Sequence, residues 1–166
     1  MMLIRANTGL SPQGDVWTAS IDLGSDPDEV LCALTDPAVI AQSAPVSFEV
    51  DGLAGTRLRA GGRERVRGSI AGIRTTFEVE VRVADRERLE LVARGPVSLD
   101  VTYWFDEHEA GVRVDAQVGI RRQRGLTAQV LRAAVGALLS AGALGSALRR
   151  LEASLSAPLE ADLLAA

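Results

Sequence analysis

The sequence predicts an α+β fold in which a curved antiparallel sheet is covered on its apolar face by a long C-terminal helix. Three observations lead there. A first alternating strand is followed at once by two proline-opened helices; the chain from Val46 to about Arg122 is broken into short alternating runs; and Leu126 to Leu155 holds a helical stripe of apolar residues.

The first strand is "VWTASIDL", where Trp17, Ala19, Ile21 and Leu23 alternate with Thr18, Ser20 and Asp22, the period of a half-buried strand. In "SDPDEVLCAL", Asp26 is placed to cap a helix, Pro27 to open it and Glu29 to close a capping box. "TDPAVIAQSAP" repeats the device, with Asp36 as cap, Pro37 as first residue and Pro45 beyond the end.

The runs "VSFEV", "TRLRA", "RVRGSIAG", "TTFEVEVRVA", "RLELVAR", "VSLDVTYWFD" and "GVRVDAQVGI" are separated by turn residues, which reads as an antiparallel meander. Phe77, Val79, Val81 and Val83 share one face, opposite Glu78, Glu80 and Arg82. Val112, Val114, Ala116, Val118 and Ile120 likewise lie opposite Arg113, Asp115 and Gln117. One face of the sheet is therefore apolar and the other is wet. The last helix presents Leu144, Leu148, Leu151 and Leu155 to that apolar face.

Followed backward, the same stripe runs through Ala141, Ala137, Ala134 or Ala133, Val130 and Leu126, so its middle is built from small side chains. The surrounding stretch has sixteen uncharged residues between Arg132 and Arg149, short of the roughly 20 apolar residues that cross a bilayer. A soluble role is expected instead. Small residues over a concave sheet leave room, and unfilled volume costs about 24 cal/mol per Å³. An apolar ligand would repay that cost. The alternative is that the sheet curves close to the helix and the small residues permit contact.

Composition excludes several classes. A net charge of -4 argues against a general affinity for nucleic acid. A single cysteine, Cys32, rules out an internal disulfide, and with His108 as the one histidine no metal site is expected; no cofactor is expected. The start of the chain lacks an apolar stretch of signal-peptide length, so a cytoplasmic location is expected. All 18 basic residues are Arg, which reads as coding bias rather than chemistry.

The element order, with "DPDEVLCALTDPAVIAQSAP" and "YWFDEHEAGVRVD", resembles the SRPBCC superfamily, which includes the START lipid-binding domains, the birch pollen allergen family and the polyketide cyclase/dehydrase group. Within it, the chain is most similar to the polyketide cyclase-like side, with a group of carbon monoxide dehydrogenase subunits sharing the layout. The resemblance covers about Val16 to Leu155 and rests on marks of fold, not of catalysis. It implies a helix-grip fold, a seven-stranded sheet wrapped around the last helix, and a cavity between them that holds a hydrophobic ligand. Residues 16–156 are expected to form a single ligand-binding domain, with 1–15 and 157–166 as flexible or loosely docked termini.

The ligand contacts expected from these faces are Phe77, Val79, Tyr103, Phe105, Val114 and Ala116 on the sheet and Ala137, Ser140, Ala141 and Leu144 on the helix. Tyr103 is the best catalytic candidate, because its hydroxyl shares parity with Leu99, Val101 and Phe105; the plainer role is a core tyrosine with its tip at the rim. Ser140 flanks the small stripe, although a helical serine more often bonds the preceding turn. His108 lies in a solvated hairpin, and Asp115 and Gln117 belong to the outer face unless a bulge shifts the register. Trp104, also outside, suits an edge contact or a homodimer interface.

Arg57, Arg59, Arg63, Arg65 and Arg67 crowd one hairpin, and Arg121, Arg122 and Arg124 precede the last helix. At a cavity mouth they could hold an anionic head group or dock an acyl carrier protein; otherwise they are a solvated face. Three functions stay open at this point: a binder of a lipid- or polyketide-like molecule, a polyketide cyclase or aromatase, and an assembly or chaperone subunit contacting a partner through Leu131, Val135 and Leu138 or Leu139.

Overall fold

The structure is a computed structural model and describes residues 9–11, 14–43, 48–51, 57–70, 72–121 and 123–157. In chain order the elements are β1 (Gly9–Ser11), β2 (Gly14–Leu23), α1 (Pro27–Thr35), α2 (Pro37–Ser43), β3 (Phe48–Asp51), β4 (Arg63–Ile70), β5 (Ile73–Ala84), β6 (Arg88–Arg94), β7 (Ser98–His108), β8 (Gly111–Arg121), α3 (Leu126–Ser140) and α4 (Ala143–Ser156). The strands form one antiparallel sheet in the order β1-β2-β8-β7-β6-β5-β4-β3. This is a helix-grip-like architecture: a curved sheet, two short helices after the first long strand, and C-terminal helices against the apolar face.

Local sequence sets the helix starts. The Asp26 carboxylate accepts from the Asp28 and Glu29 amides at 2.8 and 3.0 Å, and Glu29 accepts from the Asp26 amide at 3.3 Å. Three amide donors that the first turn leaves without a helical partner are thereby satisfied. Asp36 does the same for Ala38 at 2.8 Å. Replacing Asp26 by Ala is expected to cost about 1 kcal/mol, readable as a fall in the urea midpoint with an unchanged slope.

Strand parity follows the sequence. Val112, Val114, Ala116, Val118 and Ile120 are buried along β8, and β2 places Ala19 and Ile21 opposite Ala116 and Val114. Register along β7 and β8 is continuous from Ser98 to His108, so Asp115 and Gln117 stay outside; a break occurs instead between Val81 and Val83 of β5. Two details depart from expectation. Pairing begins at Gly9, through the short edge strand β1, making eight strands. Of the run "TRLRA", the described Arg57 to Arg59 have no strand pairing, and the Leu58 amide donates to the Thr35 carbonyl of α1 at 3.0 Å.

The expected single C-terminal helix is two, bent by 59° at Ala141 and Gly142. Gly142 takes φ 92°, a left-handed conformation that glycine adopts without a Cβ penalty. The break changes which residues face inward. At 3.6 residues per turn, the nine positions from Val135 to Leu144 amount to about two and a half turns, so one straight helix would put the two side chains on opposite sides. Here both are buried, at 8% and 7% exposure. No single helix among the described residues is long and apolar enough to cross a membrane.

The core accordingly has two clusters. Leu144, Leu148 and Leu151 of α4 pack with Ala19, Ile21, Val114 and Phe105. Leu131 and Val135 of α3 pack with Ile70, Phe77, Val97 and Ile120. Leu139, near the bend, touches both clusters.

Candidate ligand cavity

Between the two clusters lies a cavity of about 300 Å³. Its sheet wall is made by Phe77 and Val79 of β5, Leu91 and Ala93 of β6, and Leu99, Val101 and Tyr103 of β7. Its helix wall draws on Val135, Leu138 and Leu139 before the bend and on Ala143, Leu144, Ala147, Leu148 and Leu151 after it. Leu34, Pro37 and Ile40 close the side nearest α1 and α2. Two helices splaying from a bend, with alanines at 143 and 147, leave space that one straight leucine-faced helix would fill.

Two polar side chains stand in this wall among the described residues, Tyr103 and Glu64. Burial pushes the Tyr103 phenol up to about 12, so near neutral pH it is a neutral donor. Neither the phenol nor the Glu64 carboxylate has a hydrogen-bond partner among the described residues. Glu64 sits on β4, whose residues alternate: Arg63, Arg65 and Arg67 are exposed, while Glu64 and Val66 turn to the cavity. The wall reaches the surface at Leu138, which is 37% exposed.

Of the contacts expected from sequence, Phe77, Val79, Tyr103 and Leu144 meet at this cavity. Phe105, Val114 and Ala116 share the inward face but lie in the solid core beside α4. Ala137, Ser140 and Ala141 are exposed. The helix break is the reason: their side faced the sheet only if the stripe continued backward from Leu144 without a change of phase. Ser140 instead accepts a hydrogen bond from the Trp17 indole at 3.2 Å, fixing α3 to β2. Gly136 lies against the same indole, a Cβ there standing 3.6 Å from its ring carbons.

The same break buries Leu131 at 0% exposure and Val135 at 8%, so these two do not form the exposed helix edge proposed for a partner. Arg63, Arg65 and Arg67 leave β4 on the side away from the cavity and cannot hold a head group inside its mouth. On that outer face Arg63 and Arg94 stand 3.9 and 2.7 Å from Glu80; the hydrogen bond from Arg94 holds the Glu80 carboxyl below its usual range. Arg57 and Arg59 flank Leu58, itself in the wall, and the Arg57 guanidinium contacts the Cys32 sulfur at 2.8 Å. Arg121 is bound by Asp100 through two bonds of 2.6 and 2.8 Å; Arg122 lies outside the described residues. Trp104, at 40% exposure, and the exposed His108 lie outside the cavity wall.

Glu64 is not among the residues expected from sequence, because the arginines at 63, 65 and 67 dominate the charge pattern of its strand. The signal was present: in "RERVR", Glu64 and Val66 share a side.

The fold is shared with many solved structures; 223 chains match it. Protein CV1439 of Chromobacterium violaceum aligns over 89% of this chain and 100% of its own, at 15% identity and a TM-score of 0.64. Protein Ms6760 of Mycobacterium smegmatis aligns over 93% and 97%, at 19% identity and 0.64. TTHA0849 of Thermus thermophilus aligns over 89% and 99%, at 22% identity and 0.61. The likeness is one of fold. No family model matches the chain, and no curated protein sequence matches it. Such a widely occupied fold leaves function to the chemistry of the site.

Proposed function

We propose that this protein binds a hydrophobic small molecule, lipid- or polyketide-like, in the cavity between the sheet and the C-terminal helices, and that it belongs to the SRPBCC superfamily. The observation behind this is the cavity wall itself. About 300 Å³ of space is bounded almost wholly by aliphatic and aromatic side chains, an arrangement typical of apolar ligand sites with few orienting polar groups. An empty space of that kind is costly, since lining atoms lose dispersion contacts, and an apolar guest restores them. Native mass spectrometry of freshly purified protein, beside a denatured sample, tests the proposal. A small molecule that leaves on unfolding is expected; a bare chain that also takes up no lipophilic dye would refute it.

A second reading, a polyketide cyclase or aromatase, is favoured by one observation: Tyr103 stands in the cavity wall as a neutral donor with no hydrogen-bond partner among the described residues. A donor so placed can polarise a ligand carbonyl. Tyr103→Phe separates the two. For a binder, affinity for the retained molecule falls by one hydrogen bond, about 0.5 to 1.5 kcal/mol, as read by titration calorimetry. For an enzyme, turnover of that molecule collapses while affinity changes by no more than this.

A further inference from the structure

We propose, on the footing that this cavity holds a ligand, that Glu64 makes it selective for apolar molecules whose head is a hydrogen-bond donor, a hydroxyl or a protonated amine, and excludes carboxylate-headed ones. Among the described residues, Glu64 is the one carboxylate in a cavity wall otherwise made, apart from Tyr103, of apolar side chains. It has no hydrogen-bond or ion-pair partner among the described residues. A carboxylate accepts hydrogen bonds and donates none, so a guest reaching it must bring the donor.

No cation among the described wall residues changes that sign. The three arginines nearest along β4, Arg63, Arg65 and Arg67, are on the outer face, and Arg57 is turned to Cys32; Arg59 is exposed. A second carboxylate brought beside Glu64 would therefore meet a like charge in a site partly withdrawn from water, where charges act more strongly than in bulk solvent.

Glu64 and Tyr103 also stand apart. Glu64 pairs across the sheet with Val79, Val79 with Ala93 and Ala93 with Leu99, which puts Glu64 in the row of Leu99, four positions along β7 from Tyr103. Four strand residues span about 13 Å. The two polar groups thus mark different ends of the cavity: Tyr103 can donate to an oxygen at one end of a guest, while Glu64 receives the donor head at the other.

The test uses the full chain loaded with Nile red, displaced by decylammonium, 1-decanol and decanoate below the concentrations at which they form micelles. Decylammonium and decanol are expected to displace the dye, with decanoate weaker by about tenfold or more. Glu64→Gln should bring decanoate within about twofold of decanol, whereas Glu78→Gln, which neutralises an exposed carboxylate on the opposite face, should leave the wild-type ratio unchanged. Equal displacement by all three heads in the wild type, or a ratio that Glu64→Gln does not move, overturns the proposal. An equal response to Glu78→Gln overturns it too, since the selectivity would then come from overall charge. Failure of Nile red to bind at all is distinguishable from these, because it removes the cavity function itself.

Discussion

Leu131→Ala is expected to destabilise the protein by about 3 kcal/mol, lowering Tm by roughly 6–12 °C in a thermal melt followed by circular dichroism. The side chain is wholly buried, in the cluster formed by Ile70, Phe77, Val97, Ile120 and Val135. It is absent from the cavity wall, so its removal creates a new void rather than enlarging an existing one. Leu126→Ala, on the same helix at 82% exposure, should change stability by less than about 0.5 kcal/mol. The pair also tests the phase of α3. If the helix ran straight into α4, Leu126 would belong to the buried stripe and Leu131 to its exposed edge, and the ranking of the two variants would invert.

That inversion is where the sequence reading and the structure part. Strand parity was legible, because a period of two is short and is checked by every residue: Val112 to Ile120 alternate with polar residues and are buried as expected. The helix caps were legible because their chemistry is local, with Asp26, Pro27 and Glu29 adjacent in sequence. A helix break in "LLSAGALG" is harder to see, since Ala and Gly at 141 and 142 suit both a continuing helix and a stop. Misplacing it shifts every inward assignment upstream. A straight helix puts Ala137, Ser140 and Ala141 inside and Leu131 and Val135 outside; the break reverses both sets.

The cavity was legible in kind but not in detail. Small residues near the bend do line it, as Ala143 and Ala147, while Gly136 serves contact with Trp17 instead. Both expected uses of small side chains therefore occur within a dozen residues, and only packing partners distant in sequence separate them. Glu64 shows the same limit from the strand side. Parity tells that it opposes Arg63 and Arg65, but which of the two faces is inward depends on how β4 joins the sheet, here opposite Phe77 and Val79 of β5.

Ala147→Phe is expected to abolish uptake of a lipophilic dye, weakening it by about a hundredfold or more, while raising or preserving Tm. Ala147 lies on α4 between Leu144 and Leu148, and its methyl group forms part of the cavity wall. A phenyl ring at this position enters the same space as a ligand and competes with it at an effective concentration no added molecule can match. It also restores dispersion contacts that the lining now lacks, and cavity-filling changes of this kind commonly add about 0.5–2 kcal/mol. The sign of the stability change is what separates the two accounts of the small residues. Were Ala147 present to let helix and sheet touch, the ring would overpack a closed interior at a cost of about 1–3 kcal/mol, and Tm would fall along with any binding. Lost dye uptake at an unchanged or higher Tm is the outcome that a pre-formed apolar cavity requires, since there the ring has room before any ligand arrives.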